Sequence, residues 1–322
     1  MENLLVNKVA AVKEVQQAAE YQKKKQACIL TGLAGSSKPV FFAAVDKLLG
    51  GKGSMAFITA SREEIRTYRR ELNYLYPDLP MQELYPVSLP RVQADTQSLE
   101  LQAGRAAALR FLSGEERGIV FITAEALQQK QLRPSGMSGK ALQLAVGEEH
   151  EQRNIAAALL DLGYERTEQV DALGQFCLRG DILDVYPINS SAAVRIEWFD
   201  NELDAMRSFD VDTQRSLQTL SSIKIAPLKV DESFSYDADI FEYCAADTMV
   251  VVDEPVHVFG MLEKLDKENK EHASELFGKQ ELIEQLAANG AVLVSALGHS
   301  YLQQLPSLNI PVRAVAPYNK NT

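Results

Sequence analysis

The 322-residue sequence has few of the residues that build metal and redox sites. Its three cysteines, Cys28, Cys177 and Cys244, are widely spaced and odd in number, which excludes a disulfide framework and suits a reducing cytoplasm. Its four histidines form no HxxxH or HExxH pair, so no zinc site and no other metal site is expected. No apolar run approaches a membrane span, and the N-terminus MENLLVNKVAAVKEV lacks the apolar core and cleavage site of a signal peptide. The expectation is a cytoplasmic protein with no membrane contact. Internal repeats and low-complexity tracts are also missing.

Basic charge is scarce as well. The formal net charge is −11, and the longest basic run is Lys23-Lys24-Lys25. Duplex recognition needs a basic face that displaces counterions from phosphate. That run reads as a solvated helix end ahead of a DNA contact, and direct tight binding to nucleic acid is not expected.

What is present alternates. Val9, Val12, Val15 and Ala19 recur at helical spacing within residues 7–26, and an apolar strand follows at 27–30. A loop and helix then end at Gly50-Gly51. The strand MAFIT, a helix from Arg62 to Tyr76, a short QELY strand, a helix near 97–112 and the strand GIVFIT come next. Unbroken apolar strands separated by helices indicate a parallel sheet covered on both faces. After about residue 128 the rhythm changes. One helix, 149–162, places Ile155, Leu159 and Leu162 on a stripe, and QFCLRGDILDVYPI and AAVRIEWF then read as hairpin-linked strands. From about residue 227 the α/β pattern returns in DTMVVVDE, GAVLVSA and IPVRAVAP. The expected fold is an α/β parallel-sheet domain (residues 1–128 and 227–322) split by an inserted α+β domain (129–226).

The first strand–loop–helix contains Gly32-Leu33-Ala34-Gly35-Ser36-Ser37-Lys38-Pro39, close to the phosphate-binding pattern GxxxxGK[ST]. Gly32 and Lys38 fall in register. Ser37 replaces the glycine that lets backbone N–H groups wrap phosphates, and Pro39 replaces the hydroxyl that ligates magnesium. The expectation is a relic, P-loop-like loop with no bound cofactor, set against the alternative of a divergent ATPase. Val250–Glu254 resembles a Walker B strand. With the loop broken, Asp253 and Glu254 read as loop or cap residues.

In the inserted block, strand parity puts Val194, Ile196 and Trp198 on one face, able to pack on the Leu159 stripe, and Arg195, Glu197 and Phe199 on the other. Phe176 and Leu178 oppose Gln175, Cys177 and Arg179 in the preceding strand. If these strands are neighbours, Arg179 joins Arg195 and Phe199 in a patch of interface composition, suited to an acidic partner. The competing reading is a surface Arg–Glu pair of small value, with Phe199 folded back on its own hairpin.

GYERTEQVDALGQFCLRGDILDVYPI (163–188) and VRIEWFDNELDAMRSFDVDTQRS (194–216) resemble the UvrA-interaction domain of bacterial transcription-repair coupling factors, which also occurs in the excision-repair subunit UvrB. FDVDTQRS is closer to the coupling factors. The likeness is strong over about residues 150–226 and weaker elsewhere. It implies a UvrB-like α/β domain with an inert nucleotide loop, interrupted by a UvrA-binding domain. It further implies contacts to UvrA from Arg179, Arg195 and Phe199, with Trp198 standing where relatives often carry Phe. Helicase motifs are absent, so the expectation is a non-catalytic fragment. Contacts with RNA polymerase and DNA would then belong to other domains of a longer protein. A nucleotide-binding, UvrB-like helicase fragment is the runner-up, and DNA binding through the α/β domain is a third reading.

Overall fold

The apolar runs become strands and the amphipathic stretches between them become helices. The computed structural model describes residues 4–87, 89, 99–133, 141–228, 236–296, 304–310 and 312. Two helices, α1 (Leu4–Ala10) and α2 (Lys13–Lys23), precede β1 (Cys28–Thr31), α3 (Ser37–Leu48), β2 (Met55–Thr59), α4 (Arg62–Leu75) and β3 (Met81–Leu84). Helix α5 (Leu99–Ser113) leads to β4 (Ile119–Thr123), α6 (Ala124–Gln128), β5 (Gln131–Leu132), β6 (Leu142–Ala145) and α7 (Gln152–Asp161). A run of strands follows: β7 (Glu165–Arg166), β8 (Gln175–Arg179), β9 (Ile182–Val185), β10 (Ala193–Phe199), β11 (Glu202–Phe209), β12 (Ser216–Thr219), β13 (Ser222–Ile225) and β14 (Tyr236–Ala238). Then come β15 (Met249–Asp253), α8 (Pro255–Glu268), α9 (Lys279–Ala288), β16 (Val292–Ser295) and β17 (Ser307–Asn309).

The chain divides into two compact units, one formed by Met1–Pro86, Phe111–Gln129 and Cys244–Thr322, the other by Val87–Arg110 and Lys130–Tyr243. The sequence-based boundaries at 128/129 and 226/227 leave residues 87–110 and 227–243 with the α/β part, whereas this division groups them with the second unit.

In the first unit seven strands form one sheet in the order β17-β1-β16-β15-β2-β4-β3, and every pairing is parallel. Every residue of β2, β4, β15 and β16 is buried. That is why these strands read as unbroken apolar runs: helices cover both faces, so neither parity can be polar. Phe42, Phe57, Phe121 and Tyr68 pack together in the core with ring centroids 5.3–6.0 Å apart. The helix expected over residues 7–26 is broken in two. Val12 takes an extended backbone (φ −73, ψ 133) ahead of α2, which turns its side chain outward and leaves Val15 and Ala19 to the core. The strand expected at IPVRAVAP falls mostly outside the described residues; the strand seen in that region is β17.

The second unit is built on a separate six-stranded sheet, β12-β11-β10-β9-β8-β7, antiparallel except for the β7–β8 pair. Helix α7 buries Ile155, Ala156 and Leu159 against one face of it, meeting Phe176, Leu183, Val185, Val194, Ile196 and Trp198. Burial alternates strictly along the outer part of β10: Val194, Ile196 and Trp198 are buried, Arg195 and Glu197 are half-buried, and Phe199 is exposed. The Trp198 indole N–H donates to the carbonyl of His150 at 2.9 Å. This satisfies its one polar atom inside an apolar core. Among the described residues no helix is long and apolar enough to cross a membrane.

Candidate functional site

The face of the second unit's sheet opposite α7 carries the polar members of β8, β9 and β10. Strand β9 lies between the other two, so Arg179 and Arg195 are not on adjacent strands. The register sets Cys177 beside Asp184 and Asp184 beside Arg195; one step along, Arg179 is beside Ile182 and Ile182 beside Glu197. Cross-strand partners share a face. At roughly 4.8 Å per strand, the backbones of β8 and β10 lie about 10 Å apart.

Asp184 joins the two arginines. It is 2% exposed, between the core-facing Leu183 and Val185. Arg195 grips it with both arms of the guanidinium, Nε donating to Oδ1 at 2.6 Å and Nη2 to Oδ2 at 2.8 Å. Arg179 adds Nη2 to Oδ2 at 3.2 Å. Arg195 is further fixed by donating to the Gln214 side-chain oxygen at 3.1 Å and by lying 4.7 Å from the centroid of the Phe209 ring. The hydrogen bonds to Asp184 raise its pKa further above an already high value, so its charge is permanent. Glu197 pairs with Arg207 at 2.5 Å, and the Arg195–Glu197 pairing considered from the sequence gives way to these two pairings.

The arginines differ in exposure. The side chain of Arg195 is 18% exposed and that of Arg179 55%. Arg195 is therefore mainly committed within the fold, while much of the Arg179 guanidinium faces solvent. Phe199 is 77% exposed and is not folded back on its hairpin. It ends β10 just before Asp200, whose φ of +58° makes the turn, and it sits on the Arg195–Glu197 side of the strand. A buried acid thus organises two cations on a sheet face whose far end presents a bare aromatic ring.

Sequence reasoning named Arg179, Arg195 and Phe199 but missed Asp184, Phe209 and Gln214. Parity was the available signal for Asp184: an acid between two core-facing residues must occupy the opposite face, where the arginines lie. Gln214 gives no such signal, because it reaches the site from a turn where its φ is +58°.

In the first unit, Gly32 has φ +86°, and a Cβ there would lie 2.5 Å from the carbonyl oxygen of Ile310. Ser37 opens α3 and closes on its own loop, its hydroxyl donating to the carbonyl of Ala34 at 2.7 Å and accepting the Ala34 N–H at 2.9 Å. Pro39 is buried in the first turn of α3, where its fixed φ is tolerated. Lys38 is buried, with Nζ 2.6 Å from Asp253 Oδ1 and 2.8 Å from Glu254 Oε1. Burial opposes its charge, but hydrogen bonds to the two carboxylates outweigh that, and its pKa is raised. Asp253 ends β15, and Glu254 precedes Pro255 at the start of α8 in a left-handed conformation (φ +43°). The loop-or-cap reading of these two acids does not hold for Asp253, which is a buried strand residue. Glu254 stands at the N-cap position without a side-chain cap bond, and both carboxylates hold the loop lysine.

Comparison with known proteins places these features in context. Residues 142–230 match the model of the UvrB interaction domain. Over 202 residues, 62% of the chain, the sequence is 35% identical to the transcription-repair-coupling factor of Bacillus subtilis, covering 17% of that protein. Over 165 residues, 51% of the chain, it is 28% identical to the transcription-repair-coupling factor of Escherichia coli, covering 14%. The corresponding protein of Staphylococcus haemolyticus is 32% identical over 202 residues, 62% of the chain and 17% of its own length. The alignments therefore span about a sixth of the length of the curated relatives.

Proposed function

We propose that this chain, which carries a UvrB interaction domain and resembles the transcription-repair-coupling factors over half or more of its length, is a docking module that captures UvrA for nucleotide excision repair at stalled transcription complexes. The observation that carries the reading is the Arg179–Asp184–Arg195 cluster on the same sheet face as the exposed Phe199, inside the matched domain. Phe199 supplies an apolar anchor that is desolvated on binding, and Arg179 supplies an oriented charge for an acidic group of the partner. Arg195, held by Asp184, fixes the geometry and contributes its remaining exposed edge. Arginine and aromatic residues in one patch have the composition of an interface hot spot.

The module itself performs no chemistry in this reading, and its α/β unit is a degenerate nucleotide fold. Two observations support that. Ser37 and Pro39 stand where a phosphate loop needs glycine and a metal-ligating hydroxyl, and Lys38 is neutralised by Asp253 and Glu254. Any ATP-driven translocation, polymerase contact or DNA contact is assigned to parts of a longer protein.

The test is a binding titration of the purified chain against UvrA, with wild type, Arg179→Ala and Phe199→Ala side by side. Binding by wild type, weakened about tenfold or more in each variant, is the expected result. A folded wild-type chain that does not bind, or variants that bind equally well, would sink the reading. Magnesium-dependent ATP binding by the chain would restore the nucleotide-enzyme alternative.

A further inference from the structure

Helix α4 and the approach to β3, an edge strand of the first unit's sheet, line an open groove of about 550 Å³. One wall carries Arg66, Arg69 and Arg70; the other is Leu79, Pro80 and Met81. Spacings of three and four residues put the three guanidinium groups on one side of α4, away from the buried Ile65, Tyr68 and Leu72. Arg69 is fixed: it donates to the carbonyl of Met81 at 3.2 Å and lies 5.3 Å from the centroid of the Phe121 ring. Arg66 and Arg70 have no ion-pair partner among the described residues.

Among the described residues no acid, Glu63 and Asp78 included, pairs with Arg66 or Arg70, and three of the nearby acids are engaged elsewhere. Glu64 accepts the backbone N–H of Ser61 at 3.0 Å, Glu71 accepts the Ser36 hydroxyl at 2.8 Å, and Glu83 pairs with Arg62 at 2.5 Å. One turn beyond Arg70, Tyr74 is 84% exposed. In a chain of net charge −11, three arginines gathered beside an apolar wall, none of them paired with a carboxylate among the described residues, form a local positive site.

We propose that this groove is a second docking site, distinct from the face at Phe199, and that it takes an acidic peptide segment of a partner protein bearing an aliphatic or aromatic side chain. Carboxylates of the segment meet Arg66 and Arg70, and its apolar side chain rests on Leu79, Pro80 and Met81. Charge complementarity and the apolar wall favour a peptide over nucleic acid. The three arginines lie within about 6 Å along the helix axis. That is enough for one or two phosphates, where a duplex-binding protein typically makes about 6–10 phosphate contacts.

The experiment is fluorescence anisotropy with the full chain and a short fluorescein-labelled peptide alternating Asp or Glu with Leu or Phe. A peptide with Asn and Gln in place of the acids and a short DNA duplex serve as comparisons. The acidic peptide binds and the neutral one does not. Arg66→Glu/Arg70→Glu weakens binding at least about tenfold, and Arg66→Lys/Arg70→Lys retains most of it. Circular dichroism verifies the fold of each variant, which is expected to persist because both positions are exposed. Absence of acidic-peptide binding, equal affinity of the charge-reversed variant, or preferential binding of the duplex would each overturn the proposal.

Discussion

The cluster around Asp184 makes a quantitative prediction, because its two arginines are attached so differently. Arg195 makes a two-armed contact at 2.6 and 2.8 Å with an 18% exposed side chain, whereas Arg179 makes one contact at 3.2 Å with a 55% exposed one. An exposed single contact is worth about 0–1 kcal/mol, while stripping a buried charge of its partner typically costs about 3–5 kcal/mol. Arg195 keeps some solvent, so Arg195→Ala falls at the low end, about 3 kcal/mol, including lost packing on Phe209. Asp184→Asn keeps the volume and one acceptor but turns an amide N–H₂ toward the guanidinium groups, and is expected to cost about 2–3 kcal/mol. Arg179→Ala should cost under about 1 kcal/mol. Trp198, the single tryptophan and a core residue of this unit, makes urea unfolding readable by its fluorescence without interference from the other unit. A flat series, with all three variants within about 0.5 kcal/mol of wild type, would refute the argument that burial sets the value of each contact. Equal losses for Arg179→Ala and Arg195→Ala would refute it too.

Other outcomes follow from the same geometry. Phe199→Ala should leave unfolding of the second unit within about 0.5 kcal/mol of wild type, because its ring is exposed, while UvrA affinity falls; a large stability loss would show that the ring is structural. Lys38→Met strands Asp253 and Glu254 and should destabilise the first unit by about 3 kcal/mol in chemical denaturation. Alanine at Gly32 meets the Ile310 carbonyl and an unfavourable φ together, and should cost about 2 kcal/mol or more; an unchanged melting temperature would contradict that contact. Burial pushes the Cys28 thiol from 9.0 up to about 12, so the unfolded chain ionises first and stability drains away between those values as pH rises. Cys28→Ala should flatten that decline in an alkaline denaturation series, even if the variant starts less stable at neutral pH.

The alternation through Val194, Ile196 and Trp198 was legible because a strand with one covered face writes its burial into every second residue. Arg195 and Phe199 were placed by that same rule. Asp184 was harder, since its role depends on which strands flank β9, and strand order is not local. The Lys38–Asp253 pair spans 215 residues of sequence; each residue lies in a recognisable phosphate-site pattern, but nothing local to either shows that the two side chains pair with each other. Val12 misled for a different reason: it fits the helical stripe, yet the backbone breaks there, and a stripe reports which side chains are apolar without reporting where the hydrogen-bond ladder stops.

The strand order of the large sheet constrains how the protein is made. Between β1 and β2, neighbours in sequence, lie β16 and β15, which leave the ribosome some two hundred residues later. At roughly 5–20 residues per second, the nascent chain waits on the order of ten seconds or more with β1 separated from β2 by a gap it cannot yet fill. Strands β7 to β12 are complete before that gap closes. During synthesis, then, the second unit's sheet is ready to mature first, while the edges of β1 and β2 that face each other across the gap stay unpaired until β15 and β16 arrive.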